Sequence, residues 1–109
     1  MCRVKAKDHL FDFGFTMHEA FAATNSDDHC VDIIEKAAQN LDLQISHLSE
    51  PFRWSEDFGR FGEVCPIGFF GLGSGIDQPA LHNPEYDFPD DILETGMCMF
   101  WEIIRQELE

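Results

Sequence analysis

Basic side chains are scarce in this chain: seven Lys and Arg stand against 21 Asp and Glu, a net charge of −14 over 109 residues. Nucleic acid and anionic membrane surfaces both demand a basic footprint, so neither is expected as a partner. Long apolar runs are also missing. No stretch of 18 apolar residues occurs, and no transmembrane helix is expected. The first residues, MCRVKAKDHLF, carry positive charge but no apolar core ahead of a small-residue cleavage site, so no signal peptide is expected. Cysteine pairs at C-x-x-C spacing are absent. Cys2, Cys30, Cys65 and Cys98 are scattered, which suits a reducing cytoplasm better than a disulfide framework. The chain shows no internal repeat, no low-complexity tract and no Ser-His-Asp arrangement.

What is present is a globular composition. Hydrophobic residues make up 44% and aromatics 13%, with 11 Phe, and the length allows one domain. Phe11, Phe13 and Phe15 alternate, so residues 3–16 are expected to form a strand with one apolar face. The break at AATNSDD, residues 22–28, offers Asn25 or Ser26 as a helix cap, with Asp27 and Asp28 suited to the first-turn dipole. Val31, Ile34, Ala38 and Leu41 recur at helical spacing and predict a helix over 27–40. Leu43 and Ile45 alternate with polar residues and suggest a short strand. Ser55, Glu56 and Asp57 open a second helix that carries Phe58 and Phe61 inward.

Residues 66–91, PIGFFGLGSGIDQPALHNPEYDFPDD, are the richest segment. Ile67 to Leu72 are continuously apolar, as in a strand covered on both faces. Gly71, Gly73, Ser74 and Gly75 then make a flexible turn. Glycine lets backbone N–H groups come close to a carboxylate or phosphate. The turn lacks the G-K-[ST] of a phosphate loop, so a plain tight turn is the competing reading. His82 sits in the proline-bracketed loop beyond. Its imidazole can ligate zinc, or it can make a structural hydrogen bond. Pro89, Asp90 and Asp91 start a last helix with Leu93, Met97, Phe100, Ile104 and Leu108 as its apolar stripe, and Gly96 within it suggests a close neighbour. Arg53 and Trp54 could bind an anion or simply pack. His9, His18, His29 and His47 share no ligand spacing. The alternation of strand and helix indicates an α/β fold: three helices on a small mixed sheet, with too few strands of its own to cover the central one.

Four segments in order, EAFAATNSD, EPFRWSEDFGRFGEV, PIGFFGLGSG and PALHNPEYDFPDDILETG, resemble the C-terminal part of the aminoacylase/carboxypeptidase family of dinuclear zinc metallohydrolases. The nearest branch is the N-acyl-amino-acid, hippurate and auxin-conjugate amidohydrolases. The resemblance implies an α/β-sandwich catalytic domain interrupted by a lid. Residues 1–21 would be the last lid strand and its return, and residues 22–109 the closing part of the catalytic domain. His82 would be the final ligand of a two-zinc site. Gly73, Ser74 and Gly75 would line the pocket for an N-acyl amino acid or small peptide, and Ser55, Glu56 and Asp57 would be architectural. The family's other ligands and its catalytic glutamate have no counterpart here. The chain alone is therefore expected to be inactive and to need an N-terminal half or another copy of itself. A stand-alone oligomerising module is the alternative. A third is an independent metal-binding protein pairing His82 with His29 or a cysteine.

Overall fold

Three α-helices carry the regular backbone of the computed structural model: α1 (Cys2–Asp8), α2 (Asp28–Asn40) and α3 (Leu93–Leu108). The structure describes residues 1–18, 20–54 and 56–108. Two 3-10 helices, Asp57–Glu63 and Asp90–Ile92, complete the elements. Among the described residues no helix is long and apolar enough to cross a membrane.

The start of α2 is set by Asp27. Its carboxylate accepts from the backbone N–H of His29 at 3.0 Å and of Cys30 at 3.3 Å. Two of the helix's unpaired donors are thereby satisfied. The expected caps, Asn25 and Ser26, are displaced by one residue because Ser26 is otherwise engaged. Its hydroxyl accepts from the Phe69 N–H at 3.2 Å, and the Asp27 N–H donates to the Ile67 carbonyl at 2.8 Å. The entry to α2 is thus tied to the apolar 67–72 segment.

Helices α2 and α3 pack together and bury Ala37, Ala38 and Met99, with Ile34, Leu41, Leu43, Ile45, Phe70 and Ile103 around them. Two alanines on the α2 face let the helix axes approach closely. The seam also holds a carboxylate. Glu102 is 7% exposed. It accepts from Asn40 Nδ2 at 2.6 Å across the seam and from Arg105 Nε and Nη2 at 2.9 and 2.6 Å on its own helix. A buried charge with both oxygens occupied is tolerated; one stripped of partners is not. Gln106 Nε2 adds a bond at 3.3 Å to the Ile33 carbonyl of α2.

Several expectations are corrected here. No strand exists among the described residues, so the α/β sandwich on a mixed sheet is not formed. A strand is a pairing, not a local conformation: its N–H and C=O groups need a neighbour. The segments 43–48 and 67–73 have apolar strand patterns, yet neither pairs with the other. The expected leading strand is α1 followed by a non-helical arm, and α1 packs against no other helix. The last helix begins at Leu93, after a 3-10 turn that follows Pro89. Its apolar stripe faces out. Leu93, Met97, Phe100, Ile104 and Leu108 are all at least half exposed, while Met99 and Glu102 face α2. Gly96 does have a neighbour, the Leu72 side chain.

The molecule is extended, with a radius of gyration of 19.6 Å, against about 13 Å for a domain of this length. It exposes 9604 Å². A folded monomer of 12.5 kDa exposes about 6,200 Å². The excess is apolar in large part: among the described residues 22 large hydrophobic side chains are exposed, five of them Phe or Met on residues 11–21.

The Asp57–Glu63 helix anchors the chain entering the body. Arg60 Nη2 donates to the Ala20 carbonyl at 2.8 Å. Buried Gly59 lies so close to residues 22–23 that a Cβ there would stand 2.6 Å from the Ala22 carbonyl oxygen. Backbone cannot yield as a flexible side chain can. Gly59→Ala is therefore expected to lower the unfolding free energy by about 1–3 kcal/mol in urea titrations; an unchanged midpoint would show that this contact is absent in solution.

The Glu102 seam generates a pH prediction. Hydrogen bonds from Arg105, then from Asn40, hold its carboxyl down to about 2 from an ordinary 4.5. A carboxyl lowered by folding contributes stability above its unfolded value, and that contribution is lost as the pH falls through the folded value. Glu102→Gln is expected to unfold at lower urea than the parent at pH 7. The gap should narrow between pH 4.5 and about 2. A gap that stays constant over that range would contradict the assignment.

Candidate functional site

The apolar segment ending at Leu72 delivers the chain to the glycine turn. Phe69 and Phe70 point to opposite sides of it. Phe70 meets Phe100 of α3 at 5.9 Å between ring centroids, and Phe69 meets Phe52 and Phe58 at 6.2 and 5.3 Å. Both faces of the segment are thus partly covered, as its continuous apolar character requires. Gly73 follows, then half-buried Ser74, then Gly75 at φ +108, a conformation that only glycine adopts freely.

His82 stands in a tight turn in which the Asn83 N–H donates to the Ala80 carbonyl at 2.9 Å. It occupies the third position of that turn at φ +70. A type II turn needs positive φ there and favours Gly or Asn. Histidine in this conformation stores strain. The next residues stiffen the loop: Asn83 Oδ1 accepts from the Glu85 N–H at 2.9 Å, and Pro84 lies between them. The imidazole is exposed and, among the described residues, has no hydrogen-bond, ion-pair or ring partner.

The structure does not bring the expected site residues into one pocket. Gly73 lines a cavity of about 510 Å³ between α2, α3, residues 43–48 and residues 69–73. Ser74, Gly75 and His82 do not line it. Nor do three His, Cys, Asp or Glu side chains converge to hold a metal among the described residues. A zinc centre takes about three protein ligands, so this chain's residues do not by themselves fit one. Ser55 lies outside the described residues. Glu56 and Asp57 precede and open the Asp57–Glu63 helix, with no cap bond from the Glu56 side chain.

The other sequence candidates are structural. Arg53 pairs with Glu50 at 2.6 Å, and Trp54 stacks on Phe52 at 4.3 Å, so neither is committed to an anion. His47 lies 3.6 Å from Glu35. The Cys30 thiol is pushed up by burial and then by the Asp27 carboxylate, the opposite of what a nucleophile requires. All four cysteines are free. Asp27, which sequence reasoning placed inside the first turn, is the cap itself; its signal was the ordinary preference for Asp at that position.

The chain thus has a short apolar core, an apolar segment partly covered on both faces and a loop bearing one exposed histidine. The chain matches the Peptidase family M20/M25/M40 over residues 8–106, and it belongs to that family. No curated protein and no solved structure matches it.

The His82 backbone gives a direct test. At ordinary helix or strand positions Ala is the more stabilising of Ala and Gly, but at positive φ the order reverses. His82→Gly is expected to exceed His82→Ala by about 1 kcal/mol in unfolding free energy. Equal stability, or Ala ahead, would mean that the left-handed turn is not held in solution.

Proposed function

We propose that this chain is the C-terminal segment of a metal-dependent amidohydrolase that cleaves the amide bond of N-acyl amino acids or small peptides. The single observation that carries this reading is the Peptidase family M20/M25/M40 match across residues 8–106. In this reading His82 supplies one metal ligand, the metals being zinc, and an N-terminal half of the catalytic domain supplies the rest. Gly73, Ser74 and Gly75 present backbone N–H groups to the substrate carboxylate. Residues 1–21 belong to the lid side of the molecule and residues 22–109 to the catalytic side.

The physical support is of three kinds. The family is metal-dependent, and His82 is a solvent-facing imidazole with no competing partner. The backbone around it is strained, as residues presented to a ligand often are. Finally, the exposed apolar area is far larger than a self-sufficient domain leaves open. The zinc would polarise the scissile carbonyl when bound; what this chain contributes is position, not a proton-transfer group. In this reading the protein is cytoplasmic, and four free thiols are consistent with a reducing compartment.

Complementation tests the reading. The chain is mixed with the N-terminal catalytic half of a family amidohydrolase and zinc, and release of free amino acid from N-acyl substrates is measured. Neither part alone is expected to hydrolyse them, and the mixture is. His82→Ala should lower the mixture's activity by more than about a hundredfold, since even residues behind a metal ligand contribute ten- to a hundredfold. An inactive mixture would refute the split-enzyme reading, and a fully active His82→Ala mixture would refute the ligand assignment.

A further inference from the structure

The cavity of about 510 Å³ has the architecture of an empty strand position. Its walls are two segments with strand-like sequence, 43–48 and 69–73, and its floor is Ile34 and Ala38 of α2 with Met99 of α3. Among the described residues no backbone hydrogen bond engages 44–48 or 70–73. Both walls therefore offer unpaired N–H and C=O groups, the condition under which a sheet edge recruits another strand. Both helices contribute apolar lining, Ile34 and Ala38 from α2 and Met99 from α3. A strand seated here needs an apolar face toward the helices and tolerates a polar one away from them.

The chain itself carries a segment of that description. In residues 11–17 the apolar side chains are Phe11, Phe13, Phe15 and Met17, alternating with Asp12, Gly14 and Thr16. The Phe13 and Phe15 rings lie 6.0 Å apart, close to the spacing of same-face neighbours on a pleated strand. All four apolar side chains are 45–72% exposed. The arm is tied to α1 by the Phe11 N–H donating to the Ala6 carbonyl at 2.9 Å and by Arg3 lying over the Phe15 ring at 5.0 Å, and beyond its end Arg60 holds the Ala20 carbonyl. The arm itself carries only Asp12, but α1, joined to it, brings Arg3, Lys5 and Lys7 toward an acidic second copy. Residues 1–18 hold three of the seven basic and two of the 21 acidic residues, a net of +1, which leaves −15 on the remainder. The area suffices as well: each chain exposes about 3,400 Å² beyond a compact monomer of its mass, and a stable dimer buries about 1,200–2,000 Å² in all.

We propose that this chain forms a reciprocal dimer in which the Phe11–Met17 arm of each copy adds as a strand to the slot between residues 43–48 and 69–73 of the other. Such an exchange of identical elements is a low-cost route to a two-fold dimer. The proposal concerns this chain alone and does not rest on the metallohydrolase reading.

Sedimentation of the full chain from micromolar to sub-millimolar concentration tests it, together with the amide I infrared band. The mass is expected to rise from 12.5 kDa to twice that, with strand absorption appearing in step. Replacing Phe11, Phe13 and Phe15 together by Ser alters only the exposed arm and should raise the dimer dissociation constant by more than about a hundredfold. Gln44→Pro with His47→Pro removes one N–H from each edge of the wall, so one of the two losses faces the slot whichever edge is used. That variant should also be monomeric, and mixing the two variants should restore a heterodimer through one intact arm and one intact slot. If the proline variant loses its helical circular dichroism, the parent and the arm variant still decide the matter. A parent that stays monomeric, a monomer that already shows strand, or a dimer that survives the arm substitutions would each overturn the proposal. So would a dimer formed without added strand.

Discussion

The seam between α2 and α3 is the one contact on which the ordered body depends. It is narrow: Ala37, Ala38 and Met99 make its apolar centre, and Glu102 closes it with a carboxylate held by Asn40 and Arg105. Small side chains bring the helices together but remove little apolar area from water, so each contact weighs heavily. The charged part adds direction. Asn40 at the end of α2 and Arg105 near the end of α3 converge on the same carboxylate, sharing its Oε1, which fixes how one helix lies along the other. Everything else is attached to this seam. Phe70 reaches it from the apolar segment, Leu43 and Ile45 from the chain leaving α2, and Ser26 and Asp27 fasten the two ends of that arrangement together.

Beyond the seam the structure consists of parts prepared for contacts that the chain does not supply. Residues 43–48 and 67–73 have strand sequences and no strand partners. The outer face of α3 carries Met97, Phe100, Trp101 and Ile104 into solvent. The 1–18 segment makes contacts mainly with itself, Arg3 lying over the Phe15 ring at 5.0 Å and Phe13 beside Phe15. Apolar area left in this quantity is far more than a compact monomer exposes. The chain belongs to the Peptidase family M20/M25/M40, and no three His, Cys, Asp or Glu side chains converge to hold a metal among its described residues.

Local signals in the sequence were reliable where local physics decides. The α2 helix could be placed to within a residue, since its apolar spacing, acidic first turn and polar break all act within the segment itself. The glycine turn and the loop around His82 were legible for the same reason. The errors lie where a distant partner decides. The alternating phenylalanines were read as a strand, but alternation states only which face would be buried if a neighbour existed. The apolar stripe on α3 does not say which residue meets a neighbour: that helix is apolar around much of its circumference, and Ala37 and Ala38 select Met99 as the contact. Glu102 was invisible as a buried residue, because its burial is made possible by Asn40, 62 positions away.

What the sequence by itself determined is the family and the position of α2. These follow from spacing and side-chain chemistry, which need no knowledge of what lies across a gap. Only the tertiary structure decided that no sheet closes, that the Phe arm stays free and that the walls of the slot remain unpaired. Strand pairing and burial are relations between distant segments, and here the second member of each relation is not supplied within the fold of a single copy.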